Sequence, residues 1–478
     1  MKIDKTHIEK IRSAFERMQT KNDLLNLMNF AKPLVYGEKA KPFELKQLTW
    51  HANPKVNKKR YQEFTIAKKS GGVRTINAPN SGLKSIQKTL AFILQCVFEP
   101  HKAAHGFVRN KSIVDNAKLH VGQNYVYNID LKDFFPSIDQ ARVWKCFQLR
   151  PFNLNKETSI LPKHMKWEDF KLKNLSDFGE PTFYVQENKL YVPTPLGNIF
   201  FEKNLNPGKQ KYIYLKNKTF SEDDFIGEKW VVNQLPSKLD IANTLVSICC
   251  TEMEVERKNS MREWEKVKRN VLPQGAPTSP VITNVICQRL DFYLTAVAKR
   301  FNLKYSRYAD DITFSSMHNI YQKDGEFLSE IQKIITQQGF HIKESKTRLQ
   351  KQGYRQEVTG ITVNERPNVH QKYIKQLRMW LYYWESYGFD RAETFFLQQY
   401  AKDKGHLLKG QANMINVIAG KLDYLKMVKG GESGVYLGLK ERFGLLINRN
   451  NDIDKILEIW EKEGIEKTME LFYLNNSV

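Results

Sequence analysis

The stretch RYADDITFS, residues 307–315, decides how the rest of the chain is interpreted. Short β-type runs stand on both sides of Asp310 and Asp311, which predicts two strands joined by a tight turn. Neighbouring side chains on extended backbone point to opposite faces, so we expect Asp310 to serve the site more directly than Asp311. Aspartates are also common in turns, so this pair alone does not indicate a functional site, and further motifs are needed.

A third carboxylate stands at the end of another β-type run. Asp130 follows the apolar stretch YVYNI, residues 125–129. Carboxylate oxygens are the ligands that Mg²⁺ prefers, and two ions about 4 Å apart stabilise the attacking and leaving oxygens of phosphoryl transfer. The sequence therefore predicts a centre with two Mg²⁺ ions, with Mn²⁺ as an alternative, held by Asp130, Asp310 and Asp311.

Composition narrows the class of protein. The chain has 478 residues, of which 41% are hydrophobic, so two or three subdomains with cores of their own are expected. The net charge of +23 favours a polyanionic partner such as nucleic acid, although a basic soluble surface is the simpler alternative. The first residues lack the apolar region of a secretory signal, and no apolar run reaches membrane length, which predicts a cytoplasmic protein without a membrane partner. Five cysteines without CxxC spacing argue against a zinc site or a disulfide framework.

Periodicity predicts the order of the elements. Residues 1–50 have helical spacing, and two strands over 61–69 and 73–79 are joined at Ser70-Gly71-Gly72. Helices are predicted over 81–99, 239–256, 281–301 and 327–340, a hairpin over 353–365, and helices from 371 to the end. The stretch at about 150–238 differs from the rest, with short β-type pieces separated by Pro and Gly.

Further segments carry a family resemblance. RYADDITFS, residues 307–315, resembles the YxDD box of reverse transcriptases, and NIDLKDFFPSI, residues 128–138, resembles their first aspartate motif. The other segments that are similar to family motifs are IAKKSGGVRTINAP (66–79), LKSIQKTL (83–90), LPQGAPTSPVITNVI (272–286) and GFHIKESKTRL (339–349). They follow one another in the family's order over about 64–100, 105–140, 240–315 and 335–370.

The resemblance implies an α+β fold of the right-hand polymerase type, with an antiparallel palm sheet and a helical thumb. The fingers, with an N-terminal helical extension, would occupy 1–120. The palm would occupy 121–365, interrupted by an insertion at about 150–238, and the thumb with a C-terminal extension would occupy 366–478.

The resemblance also implies a role for single residues. Asp130 and Asp310 would hold the metals, Asp311 would assist, and Lys346 would donate a proton to the departing pyrophosphate. The residues that would bind the incoming nucleotide are Lys69 and Arg74 on the triphosphate, Phe135 as a steric gate against a 2′-hydroxyl, and Gln274 and Gly275 against the nucleotide itself. The alternatives are that Phe135 belongs to the core, that Gln274 is a turn residue, and that the two lysines are solvated charges.

Two short elements are similar to those of retron reverse transcriptases. One contains Asn116, Ala117 and His120, and the other is Val358-Thr359-Gly360. The resemblance implies a cognate structured noncoding RNA as partner, together with dNTPs and an RNA–DNA hybrid product. The residues predicted to contact that RNA are Asn116, His120, Thr359, Lys372, Lys375 and Arg378.

Departures from the retron pattern, among them a chain that continues beyond a minimal retron enzyme, keep open the wider group of bacterial defence-associated reverse transcriptases as an alternative. Phe135 and Leu272 are 137 positions apart, and Lys343 stands where the family commonly has Asn. The first functional hypothesis is an RNA-directed DNA polymerase that copies a cognate RNA in anti-phage defence. The second is an RNA-binding scaffold, or a template-independent polymerase, that acts through a partner. The intact aspartates, Gln274 and Lys346 favour the first, and an oligomer or a protein effector is compatible with both.

Overall fold

The computed structural model describes residues 4–67, 72–154, 184–186, 189–194, 197–203, 230–232, 238–259, 261, 263–404 and 412–463. Lys69 lies outside these ranges, and so does most of the predicted insertion at about 150–238.

The described part of the chain contains both helices and strands. In chain order the helices are α1 (Lys5–Arg17), α2 (Lys21–Tyr36), α3 (Leu45–Ala52), α4 (Ser81–Val97), α5 (Ile113–Lys118), α6 (Gln140–Gln148), α7 (Lys238–Cys249), α8 (Ser279–Arg300), α9 (Glu326–Gln337), α10 (Gln371–Tyr387), α11 (Phe389–Lys404), α12 (Met414–Lys429) and α13 (Gly434–Glu463). The strands are β1 (Tyr61–Ala67), β2 (Val73–Pro79), β3 (Tyr125–Asp130), β4 (Tyr184–Gln186), β5 (Lys189–Thr194), β6 (Gly197–Lys203), β7 (Trp230–Val232), β8 (Thr251–Lys258), β9 (Trp264–Val271), β10 (Lys304–Tyr308), β11 (Asp311–Ser316), β12 (Arg348–Lys351), β13 (Glu357–Val358) and β14 (Ile361–Thr362). None of the helices in the described part of the chain is long and apolar enough to cross a membrane.

The chain divides into two compact units. The first comprises 1–63, 77–99 and 135–286, and the second comprises 64–76, 100–134 and 287–478. These limits differ from those expected for fingers, palm and thumb, whose boundaries stay a prediction.

The N-terminal helices of the first unit form where the apolar spacing predicts them. α1 begins after Asp4, whose carboxylate accepts from the backbone N–H of His7, and α2 begins with a capping box of Thr20 and Asp23. Their apolar faces share a core with α4, whose buried members include Ile11, Phe15, Leu24, Met28, Leu90 and Leu94.

The helix predicted over 239–256 is too long. α7 ends at Cys249, and TEMEVERK forms β8, which pairs with β9 residue for residue from Thr251–Val271 to Lys258–Trp264. The reason is visible in the segment itself, because Glu252 and Glu254 alternate with Met253 and the buried Val255 in the two-residue period of a strand.

The second unit contains the predicted antiparallel sheet. Its strand order is β10-β11-β3-β12, and every neighbouring pair is antiparallel. One face is covered by helix: Phe314 of β11 meets Phe327 of α9 edge to face at 5.2 Å between ring centroids. This sheet, together with the helices of the same unit, confirms the α+β class.

The helices α10 to α13 form the C-terminal part of the second unit. Trp380 of α10 lies edge to face against Phe396 of α11, with 4.9 Å between ring centroids. The same buried cluster continues through Ile418 of α12 to Val358 and Ile361 of the β13–β14 hairpin. The predicted hairpin and the predicted C-terminal helices therefore share one core.

Candidate active site

Three aspartates converge at one end of the β10-β11-β3 sheet. Tyr308 pairs with Asp311, so β10 and β11 are joined by a turn of two residues, Ala309 and Asp310. Asp311 stands directly opposite Asp130 on β3, and the backbone N–H of Leu131 donates to the carbonyl of Asp310 at 3.1 Å. The pairing register thus brings together two motifs that lie about 180 positions apart in sequence.

The carboxylates are held at some electrostatic cost. Burial raises the pKa of Asp310, and the negative charge of Asp130 raises it further. Asp311 is exposed over part of its surface, yet loss of water around its carboxyl raises its pKa to about 7, with added repulsion from Asp310 and Asp130. Crowded carboxylates of this kind are expected where a cation is to be bound.

Two basic side chains balance part of this charge. Lys346 Nζ donates to Asp130 Oδ2 at 2.6 Å, and that bond raises the pKa of the lysine. The backbone N–H of Lys343 donates to the Asp130 carbonyl at 2.8 Å, which ties the turn that carries Lys346 to β3. Arg74 contributes a weaker attraction that lowers the pKa of Asp310 against the effect of burial.

The donor set fits a hard divalent cation, since it consists of carboxylate oxygens. Within the described ranges, no three histidine, cysteine, aspartate or glutamate side chains converge tightly enough to enclose a metal ion in this conformation. The ammonium of Lys346 neutralises Asp130 instead.

A pH-dependent effect on stability follows from Asp311. Its pKa of about 7 in the folded protein exceeds the ordinary 3.8, so this carboxyl costs nothing below pH 3.8, destabilises the fold increasingly between pH 3.8 and 7, and has a constant cost above pH 7. We expect Asp311→Asn to raise the melting temperature of the metal-free protein more at pH 8 than at pH 5. The gain is reduced by solvent screening at the exposed side. Thermal unfolding in EDTA at both pH values measures it, and an equal or smaller gain at pH 8 would contradict the assignment.

Phe135 and its neighbour Phe134 have different surroundings. Phe134 is 4% exposed and stacks on Phe340 at 5.7 Å between ring centroids, whereas Phe135 is only half-buried. Of the two phenylalanines, Phe134 is therefore the one that belongs to the core, whereas Phe135 keeps part of its surface exposed.

Hydrogen bonds within the first unit hold the turn that contains Gln274 and Gly275. The Gln274 carbonyl accepts from the backbone N–H of Asn77 at 2.8 Å, and Ser279 Oγ donates to the Pro273 carbonyl at 2.7 Å. Gly275 has a φ of +122°, a conformation that side chains rarely adopt. Gln274 is half-buried in a turn, so the turn-residue alternative and a nucleotide contact are both compatible with its position.

The residues predicted to contact RNA fall into two groups. Asn116 is 1% exposed, and His120 is fully buried, with its ring nitrogens 2.6 Å from Ser315 Oγ and 2.7 Å from Ser306 Oγ. Burial lowers the pKa of His120 to about 3, so this imidazole is neutral. A side chain without exposed surface cannot touch a base or a phosphate without rearrangement, so burial argues against direct RNA contact by these two residues. Thr359 is half-buried and donates to the Ile113 carbonyl at 3.4 Å.

The second group lies on the surface of α10. Lys372, Lys375 and Arg378 are exposed, and their spacing places them along one side of the helix with Tyr382, which is 54% exposed. Trp380 is 1% exposed and belongs to the core.

Sequence reasoning missed one charged residue next to the aspartates. Arg307, in the segment RYADD, is fully buried and forms an ion pair with Asp291. The sequence carried a signal for this pair, since Arg307 stands in a predicted strand directly before the turn. A buried arginine is rare unless it is paired, so an acidic partner was to be expected.

Known proteins are similar to this chain in sequence. Residues 232–380 match the family model of the reverse transcriptases, described as RNA-dependent DNA polymerases. The chain is 31% identical to the retron Mx162 reverse transcriptase of Myxococcus xanthus, over 64% of this chain and 47% of that protein. It is 26% identical to the retron Mx65 reverse transcriptase of the same organism, over 69% of this chain and 57% of that protein. The chain thus spans about half the length of these two relatives.

Among solved structures, a telomerase from Candida albicans in complex with a fragment of telomeric RNA aligns with 87% of this chain and 66% of its own, at 10% identity and a TM-score of 0.35. That likeness is too low to carry an argument. The family model and the retron relatives agree with the motifs in the sequence: residues 232–380 match the reverse transcriptases, and the chain is similar to the retron reverse transcriptases of bacteria.

Proposed function

We propose that the protein is an RNA-directed DNA polymerase that copies a cognate noncoding RNA into DNA by two-metal nucleotidyl transfer, in the cytoplasm and in anti-phage defence. The observation that carries the proposal is the register that sets Asp130 opposite Asp311, with Asp310 in the adjoining turn and Lys346 bonded to Asp130. Similarity to retron reverse transcriptases supports the choice of RNA as template.

Asp130 and Asp310 would hold two Mg²⁺ ions, and Asp311 would support them with its negative charge. When bound, the ions stabilise the attacking 3′-oxygen and the leaving pyrophosphate. Lys346 carries its proton at neutral pH, as lysines ordinarily do, and the bond to Asp130 raises its pKa further. Once released from Asp130, this ammonium is suited to protonate the pyrophosphate.

The incoming dNTP would be bound by residues of the other motifs that resemble those of the family. Arg74 offers a planar guanidinium that matches phosphate oxygens, and Lys69 would add a point charge. Phe135, five positions after Asp130, would exclude a 2′-hydroxyl by steric clash, and Gln274 with the Gly275 backbone would contact the nucleotide.

The RNA would be bound first through its phosphates. A net charge of +23 favours such binding, and the exposed cations of α10 with Tyr382 form a surface that can contact a backbone and stack on a base. A structured RNA that co-purifies with the protein as one dominant species is the expected template.

Neutralising the α10 cations should weaken RNA binding. We expect Lys372→Gln/Lys375→Gln/Arg378→Gln to lower affinity and to reduce the slope of log K against log salt by roughly 1 for each cation that contacts a phosphate. Filter binding from low to moderate salt measures both quantities. The matched control is Lys299→Gln/Lys323→Gln/Lys333→Gln, which removes three exposed lysines from elsewhere in the second unit. Equal salt slopes for the two triple variants would refute the α10 surface.

Primer extension tests the proposed activity. Purified protein with an RNA template, an annealed primer, dNTPs and Mg²⁺ should lengthen the primer, and EDTA should stop the reaction. Retained RNA binding without any extension would instead support the scaffold hypothesis.

A further inference from the structure

Arg307 lies entirely inside the second unit, two residues before the turn that carries Asp310. Its Nε and Nη2 donate to the two carboxylate oxygens of Asp291 at 2.8 and 2.7 Å, and neither side chain of the pair is exposed. The Tyr305 hydroxyl also donates to Asp291, at 2.7 Å. This fork geometry fixes the guanidinium plane and leaves Nη1 directed elsewhere.

The remaining donor reaches the catalytic turn. Arg307 Nη1 donates to the Ala309 carbonyl at 3.0 Å. Ala309 has a φ of +58°, the left-handed conformation that residues with a side chain rarely adopt. Such a conformation persists when surrounding contacts determine it, and it directs the two residues that follow, Asp310 and Asp311.

The second support of the turn is the backbone of residues 104–106, which packs closely against the turn. Ala104 forms a parallel bridge with Arg307, and the backbone N–H of His105 donates to the Arg307 carbonyl at 2.8 Å. This brings Gly106 against the turn: a Cβ at Gly106 would lie 2.3 Å from the Ala309 nitrogen and 2.9 Å from the Tyr308 carbonyl carbon. Both contacts are with backbone, so any side chain at position 106 would displace the turn itself.

From these contacts we infer that Arg307 and Gly106 are positioning residues for catalysis, which together hold Ala309 in the left-handed conformation that sets Asp310 and Asp311 at the metal site. Arg307 acts through its bond to the Ala309 carbonyl, with Asp291 and Tyr305 fixing the guanidinium, and Gly106 acts by close contact. The expected effect on kcat rests on the proposed polymerase function. The expected effect on the conformation of the turn does not.

The variants separate positioning from folding. Truncating Arg307 alone would leave Asp291 buried and unpaired, so the polar set is replaced together in Tyr305→Phe/Asp291→Leu/Arg307→Met, which leaves no buried charge. Gly106→Ala tests the close contact. Its matched control is Gly420→Ala on α12, where a Cβ meets nothing within 4 Å. Adding Ala309→Gly to the triple variant tests rescue, because glycine adopts the left-handed conformation without help.

Five quantities are measured for each variant: the melting temperature, its rise on adding Mg²⁺, the hydrogen exchange of the peptide 305–315, and kcat and KM for dNTP. We expect the triple variant and Gly106→Ala to fold, to exchange faster in this peptide and to show a smaller Mg²⁺-induced rise. We expect kcat to fall about 100-fold with little change in KM, since a misplacement of about 1 Å suffices for that loss. Ala309→Gly should restore part of the kcat of the triple variant, whereas Gly420→Ala should match the original protein.

Wild-type exchange of the peptide and a wild-type Mg²⁺ response in both variants would overturn the inference, whether or not the protein polymerises. Unfolding of both variants while Gly420→Ala folds would also overturn it, because these residues would then serve the fold as a whole. Absence of polymerisation by the unaltered protein counts against the proposed function instead, and the exchange and Mg²⁺ measurements still decide the role of Arg307 and Gly106.

Discussion

Asp130→Asn and Asp310→Asn are each expected to lower the rate of Mg²⁺-dependent addition of dNTPs to a primer on an RNA template by about two orders of magnitude or more. Each substitution keeps the shape of the side chain and removes one anionic metal ligand, so positive charge is no longer held where negative charge develops in the transition state. Losses of this kind commonly amount to about 3 kcal/mol or more, roughly a hundredfold to a thousandfold in rate. Single-turnover primer extension measures the effect.

Folding has to be checked beside the rate. Asp310→Asn should not lose stability, because it removes a charge from a group of like charges that raises the pKa values of Asp310 and Asp311. Asp130→Asn relieves the same repulsion but also weakens the ion pair with Lys346, so its melting temperature reports the balance of the two effects. The matched control is Asp423→Asn on α12, an exposed aspartate outside the site, which should polymerise normally. Full activity in Asp310→Asn/Asp311→Asn would refute the two-metal proposal.

Phe135→Ala should relax the choice of sugar. If the ring excludes a 2′-hydroxyl by clash, its removal leaves room for a ribonucleotide without removing a contact that a deoxyribonucleotide needs. We expect the preference for dNTP over rNTP, measured as the ratio of kcat/KM values, to fall by about tenfold or more, while kcat/KM for dNTP changes little.

Phe134 provides the neighbouring control. It is buried against Phe340, so Phe134→Leu should lower the melting temperature and leave the sugar preference of the folded protein unchanged. The opposite pattern, with selectivity lost in Phe134→Leu and kept in Phe135→Ala, would move the gate to the other ring.

Local patterns in the sequence determined much of this fold. The two strands around Asp310 and Asp311, the helix after Pro280 and the hairpin around Thr359 all form as predicted, because hydrophobic period and turn residues act over a few neighbouring positions. The helix predicted over 239–256 was wrong in its second half, where the two-residue alternation of β8 competes with the helical period that precedes it.

The sequence by itself also predicted which residue types belong to the site, because carboxylates, a lysine and an aromatic residue follow one another in the order of the family's motifs. Only the tertiary structure decided which of the other polar residues are buried. His120 lies between Ser306 and Ser315, nearly 200 positions away, and Gly106 meets Ala309 across a similar distance in the chain. Contacts of this range depend on strand register and on how closely two backbones approach. No local pattern of residues encodes either of these, so the contacts that support the Ala309-Asp310 turn became visible only in the folded chain.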